Sequence, residues 1–197
     1  MDRAQIHTLE AFLAALLIVG ALLFATQATA VTPLSASTAN QHIENQHQTV
    51  AEDLLRLSAS DGSLQEALRY WNASEQRFHN TSDINTTGYT GIPPDDHPLS
   101  DQLATALGEG ELAYNVELRF ETPDGTDEIM MFDMGTPSDH AVTAIRTVTL
   151  STHDTLTAPG EDNVRLDDEE ASFWAPDLGS SSSLYNVVEV RITVWRM

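Results

Sequence analysis

Residues 10–31 read EAFLAALLIVGALLFATQATAV, and this stretch decides how the rest of the chain is read. Residues 11–25 carry no polar side chain; only Thr26, Gln27 and Thr29 then interrupt the run. As a helix rising about 1.5 Å per residue, residues 11–31 span about 30 Å, the thickness of a bilayer's hydrocarbon core. The segment is apolar on all sides, unlike the one-sided stripe of a surface helix. Glu10 stands at its head and is the only charged residue between Arg3 and Asn40. A carboxylate beside a membrane-length segment is costly to desolvate, so it asks for a partner, or for wetting by head groups or the dipole of the helix's first turn to hold it. Arg3 precedes the segment, and no Lys or Arg follows until Arg56. That asymmetry places the N-terminus in the cytoplasm and residues 32–197 outside the cell membrane.

Just ahead of the run the chain reads Arg3-Ala4-Gln5-Ile6-His7-Thr8-Leu9-Glu10. This order resembles the head of type IV pilins and pilin-like proteins, in which a short basic leader is clipped and a glutamate lies five residues into the mature apolar helix. The resemblance implies processing near Ala4, Gln5 and Ile6. A cut between Gln5 and Ile6 makes Glu10 fifth, but leaves Gln5 where the family has Gly or Ala. A cut after Ala4 restores the small residue and makes Glu10 sixth. The resemblance also implies that Glu10 pairs with the N-terminal ammonium of a neighbouring subunit, offsetting the desolvation of both ions and fixing axial register. The implied partners are other pilin-like subunits and a membrane assembly platform. Two alternatives stay open. Signal peptidase could cut after Ala28-Thr29-Ala30, releasing a soluble binding module, or the segment could remain as a plain anchor. A signal peptide gains nothing from a carboxylate at the head of its apolar region.

Thirty acidic residues stand against nine basic ones, for a net charge of −21, of which −1 falls in residues 1–40. All nine basic residues are arginine. A lysine-free, acidic surface over an ordinary apolar content reads as adaptation to high salt, as in a halophilic archaeon, where carboxylates keep a protein hydrated. No cationic stripe for nucleic acid can be built from this composition. Cysteine is absent, which excludes disulfides, thiol catalysis and thiolate metal sites.

Beyond the apolar run, Val31-Thr32-Pro33 predicts a bend or exit, because proline disfavours helix in the residue before it. Ile43, Val50, Leu54, Leu57, Leu64, Leu68 and Trp71 form one stripe at helical spacing. Gly62 interrupts it, and Ser63-Leu64-Gln65-Glu66 has the capping-box pattern. Helices are therefore expected over 36–59 and 63–72, packed on a sheet. Residues 73–98 are polar and turn-rich. Three sequons, at Asn72, Asn80 and Asn85, cluster near the start of this segment and read as N-glycosylation acceptors on an exposed loop. A short helix is expected over 100–107. From Glu111 the period becomes two: Leu112, Tyr114, Val116, Leu118 and Phe120 alternate with Ala113, Asn115, Glu117 and Arg119. Asp124-Gly125 marks a hairpin leading to a strand over 128–134. Further strands are expected over 142–151 and 185–195, with exposed loops at 161–170 and 180–183.

The expected fold class is α+β: an N-terminal apolar helix, an amphipathic helix and a small antiparallel sheet, the layout of a pilin-like protein. The organisation is residues 1–32 as leader and apolar helix, 33–72 as amphipathic helix, 73–98 as exposed loop and 99–197 as sheet domain. The stripe covers the apolar face of the sheet.

Candidate chemistry is sparse. His42, His47 and Glu44 do not share one helical face as metal ligands should. Asp167-Asp168-Glu169-Glu170 lacks the spaced ligands and glycine of a calcium loop. Ser138-Asp139-His140 are consecutive and cannot converge as a triad. Met130, Met131 and Met134 read as core. No catalytic, cofactor or metal residue is assigned, and an extracellular hydrolase has no residues to name; the resemblance to pilins is what implies a structural role, as a minor subunit of a type IV pilus-like surface assembly.

Overall fold

In the computed structural model, residues 3–83, 85–108, 112–161, 163–179 and 182–197 are described, side chains of 3–6 and 27–40 excepted. The chain divides into two units, Met1–Ile43 and Glu44–Met197. Helix α1 spans Arg3–Asp61 and supplies residues to both. The expected exit at Val31-Thr32-Pro33 is not a helix end. An interior proline removes one hydrogen bond and costs about 3 kcal/mol, and helix propagation on either side carries the backbone past it.

In the second unit, α1 buries Ala51, Leu54, Leu55 and Ser58, spaced three, four and seven from the first. Ile43 and Leu57 of the expected stripe are exposed. A seven-residue repeat drifts about 20° per heptad around a 3.6-residue helix, so residues 43, 50 and 57 fall progressively beside the true core line. Helix α2, Ser63–Leu68, ends earlier than expected, and Trp71–Asn72 form strand β1 instead. The capping box is also replaced. Gly62 occupies the cap position at φ 90°, and the Asp61 carboxylate accepts from the Ser63 N–H at 2.9 Å and its hydroxyl at 2.7 Å. These bonds, the hydroxyl one first, hold the Asp61 carboxyl below the usual carboxylate range.

Strand β1 pairs with β2, Arg77–Phe78, as a small hairpin. The main sheet contains β3 (Tyr89–Thr90), β4 (Leu112–Thr122), β5 (Gly125–Asp133), β6 (Val142–Ser151) and β7 (Leu184–Arg196). Their order is β3-β5-β4-β7-β6, antiparallel except for the short parallel contact of β3 with β5. The alternation read from β4 holds from Tyr114 on, with Tyr114, Val116, Leu118 and Phe120 buried, while Ala113, expected on the wet face, is buried too and Leu112 only half-buried. Val188, Val190, Ile192 and Val194 of β7 lie in the same core, against Leu54, Leu64 and Leu68 from the helices. Helix α3, Ser100–Leu107, adds Leu103 and Leu107. Helices therefore cover one face of the sheet.

Residues 73–98 are less loop-like than their composition suggests. Phe78, Tyr89 and His97 are buried there, and the Trp71 and Phe78 rings meet edge to face at 5.5 Å. Hydrophobic periodicity is blind to such isolated aromatic anchors. In the acidic stretch, Leu166 and Ala171 are buried while Asp167, Asp168, Glu169 and Glu170 face solvent. A 3-10 turn over Glu169–Ala171 forms there.

Candidate functional site: an apolar helix headed by Glu10

Within the first unit, His7–Thr26 is a helix long and apolar enough to cross a membrane, and none of it is buried. Leu9, Phe12, Leu16, Leu17, Ile18 and Phe24 are each more than half exposed, with Phe24 at 75 %. The Thr26 hydroxyl donates to the Leu23 carbonyl at 2.9 Å, satisfying a polar group within the helix itself. Length and composition are those of a membrane span or a signal segment. Glu10 is 77 % exposed, and its carboxylate lies 3.7 Å from the His7 ring, one helical turn earlier. Ala4, Gln5 and Ile6, and also Ala28 and Ala30, have helical backbone within α1, while their side chains lie outside the described residues. The structure thus places Glu10 on an unburied apolar rod.

The three sequon asparagines differ. Asn72 is half-buried in β1, its side-chain oxygen taken by the Ser74 hydroxyl at 2.8 Å and the Glu75 N–H at 3.0 Å. Asn80 lies in the left-handed region, φ 62°, and donates to Asp96 at 3.4 Å. Asn85 is exposed, its amide 3.1 Å from Asp83. Neither Asn80 nor Asn85 has its side-chain oxygen engaged by the turn that holds Asn72.

The second unit brings together groups that sequence reading missed. A groove of about 490 Å³ runs between α1 and α3, floored by Val50, Leu54, Leu57 and Ala106 and rimmed by Asp53 and Asp101. Exposed Leu57, the stripe residue that missed the core, was the signal for it. His97, 2 % exposed, packs edge to face on Tyr89 and Phe132, with centroids 5.1 and 5.0 Å away. Its Nδ1 accepts from the Leu99 N–H at 3.2 Å, which places the proton on Nε2 among aromatic rings. Burial pushes its pKa down to about 3, against the opposing pull of Asp96. Burial also raises the Tyr70 phenol, with help from Asp96, to which its hydroxyl donates at 3.0 Å.

Ser138, Asp139 and His140 are exposed, and His140 pairs instead with Glu44 of α1 at 2.8 Å. Among the described residues, no three His, Asp or Glu side chains are placed to hold a metal ion. Met131 is buried as expected, while Met130 is 37 % exposed on the opposite side of its strand.

An apolar N-terminal helix preceding a mixed α+β unit with an antiparallel sheet defines the class of the molecule. The chain belongs to a family of unknown function (DUF7288), whose model matches residues 3–194. No curated protein and no solved structure matches it.

Proposed function

We propose that the protein is a pilin-like, single-pass surface protein, a structural subunit of a type IV pilus-like assembly. One observation carries this reading: ten large apolar side chains between Leu9 and Phe24 are each more than half exposed, behind an equally exposed Glu10. At about 1.5–3 kcal/mol for each buried side chain, covering that surface is worth on the order of 10–20 kcal/mol. Lipid supplies the cover before assembly, and neighbouring helices supply it afterwards. Glu10 then finds its cation in the N-terminus of an adjacent subunit, which sets register. The acidic second unit faces brine, with glycans at Asn80 and Asn85.

The alternative is a module released after Ala30. It draws support from the second unit's core, whose buried residues all lie at Ala51 or beyond and ask nothing of the apolar helix. Replacing Glu10 with alanine separates the two. In the pilin-like reading, E10A inserts in the membrane but is lost from filaments; normal filament incorporation sinks the role assigned to Glu10.

A further inference from the structure

The main sheet ends on two strands with open sides. β6 pairs with β7 and no strand lies beyond it among the described residues, while β3 covers β5 only at Phe132 and Asp133. Gly88, next to β3, backs onto the carbonyls of Met130 and Met131, and among the described residues no strand pairs with β5 on this side over 125–129, where Thr86 and Thr87 border a groove with Glu128 and Ile129. The register across the sheet sets the height of this opening. Asp127 is level with Val148 through Phe120 and Val188, and Ile129 is level with Arg146 through Leu118 and Val190. The open part of β5 therefore stands opposite 146–150 of β6 on the far side of the same sheet. Three successive antiparallel pairings also make β6 run opposite to β5. A second copy laid alongside continues the antiparallel alternation at matching height.

Charge distinguishes the two edges. Arg146 is exposed and has no carboxylate partner among the described residues, unlike Arg119, Arg165 and Arg191. The β5 edge carries Asp127 and Glu128; the Asp127 carboxylate accepts the Glu128 N–H at 2.8 Å and meets no cation among the described residues. Facing Ile129 of the next copy, Arg146 lies one diagonal step from Asp127 on the same sheet face, within reach of a long side chain. Pairing β6 with itself or β5 with itself brings like charges together instead. β6 is rich in Val, Ile and Thr and has no proline; among the described residues its edge is guarded by Arg146 and by the Gln48 side chain, which donates to the Thr143 carbonyl at 3.2 Å, short of 146–150.

We propose that the protein associates head to tail through this sheet, β6 of one copy pairing antiparallel with β5 of the next. Such a contact uses two different patches, so it propagates from copy to copy, as an open row or, where the rotation between copies closes, as a ring. It rests on the sheet edges alone and holds whether or not the apolar helix enters a filament.

The absence of cysteine makes the test clean. Thr147→Cys and Glu128→Cys are made separately in the full chain in detergent, then oxidised alone and mixed. Within one chain these positions stand three strand spacings apart, about 14 Å, beyond the reach of a disulfide. The mixture is expected to give a disulfide dimer in several-fold excess over either variant alone. Adding Arg146→Glu to the Thr147→Cys chain is expected to reduce that yield. A second pair, Thr149→Cys with Thr126→Cys, guards against a local folding defect in the first. If neither mixture yields more dimer than its single variants, head-to-tail pairing is overturned; dimers from Thr147→Cys alone at the same yield point to a two-fold edge contact and overturn it equally.

Discussion

The Arg191 guanidinium lies 3.0 Å from the Glu189 carboxylate and reaches Glu117 on the neighbouring strand at 3.5 Å. Arg119 continues the line, 3.7 Å from Glu189 and 3.9 Å from Glu128. Three acids and two arginines thus cross β5, β4 and β7 on the face of the sheet that the helices leave open. In so acidic a chain, these arginines hold together carboxylates that would otherwise repel across the strands.

Arg191→Ala should therefore cost more than an isolated surface pair, about 1–2 kcal/mol at low salt, because Glu117 and Glu189 lose their shared cation. Adding Glu117→Gln should recover part of the loss. Denaturant unfolding of both variants at low and high salt measures this; an unchanged midpoint for Arg191→Ala refutes the network.

His97 gives a pH dependence of known sign. Its pKa is pushed down to about 3 by burial, from an ordinary value near 6.5, with Asp96, Tyr70, Tyr89 and Phe132 around it. Its contribution is complete above pH 6.5. As pH falls below that, the unfolded chain takes up a proton that the folded chain refuses, and stability drops by about 1.4 kcal/mol per pH unit. His97→Phe should flatten the difference between pH 7 and pH 5 relative to the natural chain, as read by urea midpoints. An equal slope in both proteins contradicts the buried neutral imidazole.

Leu54 and Leu57 lie three residues apart on the same sequence stripe but have different fates, 5 % and 55 % exposed. Leu54→Ala should cost about 3 kcal/mol through the cavity it leaves. Leu57→Ala should stay within about 0.5 kcal/mol, as a surface change does. Thermal unfolding of the two variants ranks them directly.

At Gly88 a β-carbon would collide with the carbonyls of Met130 and Met131, where the chain approaches β5 backbone to backbone. Gly88→Ala should lift β3 from the sheet and cost about 2–3 kcal/mol. Amide exchange at Phe132 and Asp133 should accelerate in that variant, while β4 and β7 remain protected.

The net charge of −21 makes self-repulsion a standing cost. Raising salt from about 0.1 M to about 1 M shortens the screening length from about 10 Å to about 3 Å, so the melting temperature should rise. A melting temperature that falls with salt contradicts the high-salt reading of the composition.

What sequence could show followed from periodicity. β4 and β7 alternate over most of their length, and β4, β6 and β7 lie within a residue or so of their expected positions, while β5 begins three residues early and does not alternate. The apolar run needed only composition. Failures came where single residues override pattern. Pro33 did not end its helix, Asp61 took the capping role from Ser63, and Trp71 left the helix for a two-residue strand. Phe78, Tyr89 and His97 were hidden in a segment that composition marked as loop, because one aromatic anchor every ten residues has no period. Glu10 was legible as an anomaly of charge, and its exposure in the structure leaves the anomaly in place.

The identity of the mature N-terminus tests the central claim most directly. Intact-mass and peptide mass spectrometry on membrane-derived protein should find a chain beginning at Gln5 or Ile6, with the greasy helix still attached behind it. A chain beginning at Val31 contradicts the account, since the segment said to bind sister subunits would then have been discarded on the way out.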